Sequence, residues 1–249
     1  MQTQTEGLII KSRDINENDT VVKILTGDLG LISAFANGTK RVKSRTASAA
    51  VSPMTYSRLT LYRGRESYII DDAKAIDVFF GLREDIERLS LANYFCELAG
   101  EFSPENTEAH EFLSLTLNLL HLLSEDKRSA DFLKPVGELR MLALAGYMPD
   151  VAACARCGKT DGNMGFSAVD GRIFCADCRR DGALLPLPAG AVAAVRHVVS
   201  CDLARLFSFA LPNETAAAFA AAAEQFLKAQ LQRSFKTLDF YHELGGTAP

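Results

Sequence analysis

An N-terminal β-barrel over residues 1–80, followed by an α-helical domain over residues 81–249 with an embedded four-cysteine module at about 150–182, is the multidomain α and β fold this sequence predicts. Three observations lead there. Short β-branched segments fill residues 7–71, apolar residues take helical spacing from residue 82, and two CxxC pairs interrupt the helical part. A chain of 249 residues has room for one large domain or two to three small ones, and its 48% hydrophobic and 23% charged residues are ordinary globular composition.

The strands come first. GLIIKSR (7–13), TVVKILTG (20–27) and GLISAFANG (30–38) are rich in β-branched residues and are separated by the turn sequences Asn16–Asp19 and Gly27-Asp28-Leu29-Gly30. After a basic run and a small-residue stretch, SPMTYSRLTLY (52–62) and SYIID (67–71) form a second hairpin across Arg63–Glu66. Five short strands with an interruption after the third fit a Greek-key barrel of the OB type, and an SH3-like barrel satisfies the same strand count. Both leave loops and one face open to a ligand.

From Leu82 the period changes to helical in LREDIERLSLANYFCELAGEF. Ser103-Pro104 marks a break, and residues 105–125 restart a helix with acids in its first turn. Its apolar run FLSLTLNLLHLL (112–123), which includes Asn118 and His121, is too short to cross a bilayer of about 30 Å and reads as a buried helix. A third helix runs to about Tyr147 and either starts near Pro135 or kinks there. Asn213 is placed to cap a late helix over 213–235, whose alanines favour helix and close packing. Carboxylates on these helices occupy positions expected to be solvated faces. The opening residues MQTQTEG have none of the pattern of a secretory signal, so the expectation is a soluble intracellular protein.

Six cysteines divide into two kinds. Cys96 and Cys201 stand singly among apolar residues and read as core thiols, whereas Cys154, Cys157, Cys175 and Cys178 form CxxC, seventeen residues, then CxxC. Two residues between thiols let one tight turn present both sulfurs to one ion, and a second pair completes a tetrahedron. Structural zinc is the first reading; iron and a redox dithiol pair are the alternatives. Four thiolates would fill the coordination shell and leave no place for water or substrate, so the module reads as a staple. Arg156, Lys159, Arg172, Arg179 and Arg180 lie close to it in sequence, either near a ligand or simply solvated.

The formal net charge of −4 hides an asymmetry: residues 1–65 hold ten Lys/Arg against five Asp/Glu, and residues 66–249 hold seventeen against twenty-six. The excess concentrates in NGTKRVKSRT (37–46), with Lys40, Arg41, Lys43 and Arg45, and is joined by Lys11, Arg13, Arg58, Arg63 and Arg65. Together these nine side chains make a candidate phosphate-binding set. Phe35, Tyr56, Tyr62 and Tyr68 are available for base stacking, although packing is the simpler role for each. No catalytic site assembles: GxxxxGK[ST], GxGxxG, GxSxG and HExxH are all missing, and His110, His121, His197 and His242 form no pair with ligand spacing.

TEGLIIKSRDINENDTVVKILTGDLGLISAFANGTKRVKSR, continued by PMTYSRLTLYRGRESYIID and by ELRMLALAGYMPDVAACARCGK, resembles the RecO family of bacterial recombination mediators. In that family's basic motif a Pro or small residue is common where this chain has Val42, a change in loop stiffness and not in charge. The resemblance implies an OB-fold, a helical domain and one structural zinc ion. It also implies a non-enzymatic protein, cytoplasmic and nucleoid-associated, that binds single- and double-stranded DNA and anneals complementary strands. The implied partners are RecR, the C-terminal tail of single-strand-binding protein and, indirectly, RecA. A zinc-containing nucleic-acid-modifying enzyme and an adaptor whose basic loop binds acidic peptides are the competing readings.

Overall fold

The computed structural model describes residues 2–15, 19–37, 49–65, 67–178 and 184–245. The chain divides into two compact units, Met1–Lys127 and Arg128–Pro249.

The first unit is built on five strands: β1 (Gln2–Asp14), β2 (Asp19–Thr26), β3 (Leu31–Asn37), β4 (Thr55–Arg63) and β5 (Tyr68–Asp77). They close into a barrel in the order β1-β2-β3-β5-β4, which fits the OB-type reading. Alternation places Ile9, Val22, Ile24, Ile32, Ala34, Leu59, Leu61 and Tyr68 in the interior, with Ala50 and Val51 packed into the same core. β1 serves two neighbours, β4 over Gln2–Ile9 and β2 over Gly7–Asp14, and the β1–β2 pairing shifts register between Ile9 and Lys11. β5 runs on to Asp77, past the expected end at 71, because Ala73 sits opposite Leu59 and fills the core.

Gly30 (φ +66°) closes the β2–β3 turn, and Thr26 Oγ1 donates to its carbonyl at 3.0 Å. A Cβ there would strike the carbonyl oxygens of Pro104 and Thr107. Those carbonyls lie between α1 (Ile86–Phe102) and α2 (His110–Ser124), and the linker is bonded to the turn: Leu31 N–H donates to Pro104 O at 2.8 Å and Ala109 N–H to Gly27 O at 2.7 Å. This pairing is why α2 starts at His110 and not at the expected residue 105; Glu105 and Asn106 are held in extended and left-handed conformations beside the barrel. Asp85 caps α1 by accepting from the backbone of Glu87 and Arg88. Phe112, Leu115, Leu119, Leu120 and Leu123 bury one face of α2, while Asn118 and His121 are exposed on the other. Among the described residues no helix is long and apolar enough to cross a membrane.

The second unit comprises α3 (Ala130–Leu144), a three-stranded sheet of β6 (Met164–Ser167), β7 (Arg172–Cys175) and β8 (Leu185–Leu187), then α4 (Ala189–Ser200), α5 (Asn213–Leu231) and α6 (Lys236–Glu243). Pro135 lies inside α3, which starts five residues earlier at Ala130. Pro212, not Asn213, occupies the cap of α5, and Gln232 in the left-handed region ends that helix before residue 235. Cys96 is buried in α1 as expected, whereas Cys201 is only half-buried.

Two helical carboxylates correct the solvated-face expectation. Glu138 on α3 and Glu224 on α5 have no exposed surface, and Lys134, 2% exposed, lies between them at 3.0 Å and 2.5 Å. Lys228, partly exposed, also reaches Glu224 at 2.6 Å, so α3 and α5 share one ionic network, and the His242 ring of α6 packs against it 3.2 Å from Glu224. Burial alone would raise the Glu224 pKa, but Lys134 and Lys228 hold it below the ordinary value.

Candidate nucleic-acid interface and metal centre

The outer face of the barrel follows from register. Lys11 on β1 stands opposite Lys23 on β2, which stands opposite Ser33 on β3. Both lysines are exposed. Like charges placed directly across an antiparallel pair are destabilising, so this arrangement is not explained by fold stability. The next outward row runs Arg13, Val21, Phe35, Ile69 and Tyr62 across all five strands through successive pairings. Arg63 follows Tyr62 and opens the hairpin that Gly64 N–H closes on Ser67 O at 2.8 Å; Arg63 and Arg65 are exposed there.

Of the nine predicted cations, Lys11 and Arg13 therefore share one outward face with Lys23, whereas Arg63 stands opposite core-facing Tyr68 and points off that face, and Arg65 lies exposed in the hairpin beyond it. Lys40, Arg41, Lys43 and Arg45 lie outside the described residues, in the segment that follows Asn37. Arg58 is engaged elsewhere. Its Nη2 and Nε donate to Glu6 Oε1 at 2.8 and 3.1 Å, across the β1–β4 pairing. Tyr56 donates to the other oxygen of Glu6 at 2.8 Å. Arg58 and then Tyr56 pull the Glu6 carboxyl below its usual value, while burial and Glu6 push Tyr56 up to about 12. Of the aromatics, Tyr68 faces the core, Tyr56 is bound to Glu6, and Phe35 and Tyr62 point outward. Lys23 escaped the sequence reading, though its place between buried Val22 and Ile24 marked it as an outward position on β2.

The metal centre is built from two turns brought together by the β6–β7 hairpin. In the first, Cys154 N–H donates to Lys159 O at 2.8 Å and Gly158 N–H to Cys154 O at 2.9 Å; Gly158 takes the left-handed φ of +76° that the turn needs. The second follows β7 at Ala176–Cys178. Ala155 N–H donates to Ile173 O at 2.9 Å and ties the turns to each other. The four sulfurs of Cys154, Cys157, Cys175 and Cys178 lie within 4.8 Å of one another, and Cys157 and Cys175 are 3.6 Å apart. A tetrahedron with metal–sulfur bonds of about 2.3 Å has edges of about 3.8 Å, so the donor set fits a closed four-thiolate site.

The thiols' own chemistry favours a cation. The Cys175 N–H donates to Cys154 Sγ at 3.3 Å and, with further backbone donors, draws that thiol down to about 6. Hydrogen bonds to Cys157 and Cys175 hold Cys178 protonated, pushed up to about 12. Four thiolates this close repel one another, so the cluster could hold all four deprotonated only around a positive ion. Arg196 of α4 fixes the approach to the first turn, donating to the carbonyls of Val151, Ala152 and Thr160 at 2.6–2.8 Å. Arg156, Lys159 and Arg172 are exposed near the module; Arg179 and Arg180 lie outside the described residues.

Comparison with known proteins agrees along the whole length. The family model described as "Recombination protein O N terminal" matches residues 1–79, and "Recombination protein O C terminal" matches residues 83–239. A protein named "DNA repair protein RecO" from Acetivibrio thermocellus is 31% identical, the match covering 97% of this chain and 96% of the relative. One of the same name from Symbiobacterium thermophilum is 30% identical over 96% of each chain, and one from Desulforudis audaxviator is 33% identical over 98% of each.

Proposed function

This chain belongs to the RecO family of DNA repair proteins, and from that premise we propose that it is a non-enzymatic recombination mediator. It binds single- and double-stranded DNA through residues 1–80, anneals complementary strands, and acts with RecR to load RecA onto DNA coated with single-strand-binding protein. The binding protein's C-terminal tail is a further partner, taken by the helical part over 81–249. The setting is the bacterial cytoplasm, at the nucleoid.

The opposed Lys11–Lys23 pair carries this reading, with Arg13 beside it and Arg63 and Arg65 on the adjoining hairpin. A surface that holds like charges together at a cost to the fold suits a polyanion. Lys40, Arg41, Lys43 and Arg45 complete the proposed set, while Arg58 contributes less because Glu6 neutralises it. Affinity from such contacts is weakly sequence-selective and falls with salt. We assign zinc to the four thiols at about 150–182, in a structural role: with four thiolates bound, no coordination position is left for a substrate.

Annealing tests the assignment. Complementary single strands are mixed with the protein without nucleotide or cosubstrate, and duplex formation is followed by fluorescence quenching. A mediator accelerates annealing and returns the strands unchanged. No acceleration points to the peptide-binding adaptor, and chemically altered strands point to the modifying enzyme; either result overturns the proposal.

A further inference from the structure

We propose that Phe35 and Tyr62 form a stacking band for unpaired bases, so that the barrel holds single strands by their bases as well as by their phosphates. The inference rests on the reading of this face as DNA-binding and adds what the face selects.

The band is a consequence of register. Phe35 on β3 pairs with Ile69 on β5, and Ile69 pairs with Tyr62 on β4, so three outward side chains stand side by side on adjacent strands. Ile69 and Tyr62 are 40% and 43% exposed, and Phe35 is half-buried. Exposed apolar residues scattered singly over a surface need no explanation, but three aligned on one row make a continuous apolar strip. With strands about 4.8 Å apart, Phe35 and Tyr62 are separated by about 10 Å along the sheet, with Ile69 between them.

The strip has a charged border. Two residues along β2 and β3 from Val21 and Phe35 lie Lys23 and Ser33, with Lys11 beyond Lys23, about 7 Å away at the rise of a strand. Arg13 stands on the same row as the strip, and Arg65 is exposed in the hairpin beyond Tyr62. On β5, past Ile70, come the exposed acids Asp71 and Asp72, which repel a phosphate chain from that side. A row of cations beside a row of flat apolar groups matches a single strand, whose phosphates and unstacked bases form two edges of one ribbon. A duplex keeps its base faces in its own stack and leaves none free to lie on the strip.

The test uses the full-length protein and three fluorescein-labelled probes of equal length: oligo-dT, an abasic oligomer with the same phosphates, and a duplex. Because stacking contributes about 5- to 150-fold per base, the unaltered protein should bind oligo-dT at least tenfold more tightly than the abasic oligomer. Phe35→Ala combined with Tyr62→Ala should remove most of that preference and leave abasic and duplex binding within twofold. Equal affinity of the unaltered protein for oligo-dT and the abasic oligomer overturns the stacking proposal while leaving phosphate binding intact. Failure to bind any of the three overturns the DNA reading itself. The abasic comparison needs no variant, so the proposal stays falsifiable even if the double substitution misfolds; circular dichroism checks its fold.

Discussion

Replacing Lys134 by Met should strip the second unit of much of its stability. The substitution keeps a long apolar stem and removes the ammonium that lies 2.5 Å from Glu224 and 3.0 Å from Glu138, both wholly buried. Breaking a buried ion pair from one side costs about 3–5 kcal/mol, because the remaining charge keeps its desolvation penalty. Lys228, 41% exposed, still reaches Glu224 at 2.6 Å, which places the expected loss at the lower end, about 3 kcal/mol. That is a large part of the roughly 5–15 kcal/mol that holds a domain folded. At a urea slope of about 1–3 kcal/mol/M, the unfolding midpoint falls by about 1–3 M. The chain has no tryptophan, so the titration is followed by far-ultraviolet circular dichroism. Combining Lys134→Met with Glu138→Gln and Glu224→Gln removes the stranded charges and should restore most of the loss. A single variant within roughly 0.5 kcal/mol of the unaltered protein, the range of an indifferent surface change, refutes the assignment of this network as a buried stabilising charge cluster.

Three further outcomes are expected. Elemental analysis of the purified protein should find one zinc ion per chain, and Cys154→Ser should abolish it and expose the segment 150–178 to proteolysis; two disulfides and no metal would reject the closed site. Burial holds His242 below its ordinary 6.5 despite Glu224, so the unfolded chain takes up the proton first: stability is full above 6.5 and declines as pH falls below it, and His242→Gln should flatten that decline in melts between pH 7 and 5. Gly30→Ala should lower the melting midpoint by more than about 1 kcal/mol equivalent, since its φ of +66° and the carbonyls of Pro104 and Thr107 leave no room for a Cβ.

The parts of this protein that local pattern encodes could be read in advance. Alternation in TVVKILT and the CxxC spacing each lie within a few residues, so the strands and the thiol cluster were legible. What escaped depends on partners distant in sequence. The Phe35–Ile69–Tyr62 row exists because β3 pairs in parallel with β5, and Lys11 meets Lys23 because the register shifts after Ile9. The start of α2 moved to His110 because residues 104–109 bond to a turn some eighty residues earlier, at Gly27–Leu31. Glu138 and Glu224 looked like solvated helical charges; only the packing of α3 against α5 reveals that Lys134 is buried between them.

The central claim is that the outer barrel face binds DNA through phosphate contacts, and the salt dependence of that binding tests it most directly. Anisotropy of a labelled single strand is measured across a salt series for the unaltered protein and for Lys11→Ala combined with Lys23→Ala. Each lost phosphate contact lowers the log–log slope by about 0.7, so the account predicts a slope shallower by about 1.4 with weaker binding to every sequence tried. An unchanged slope in a folded double variant would contradict it.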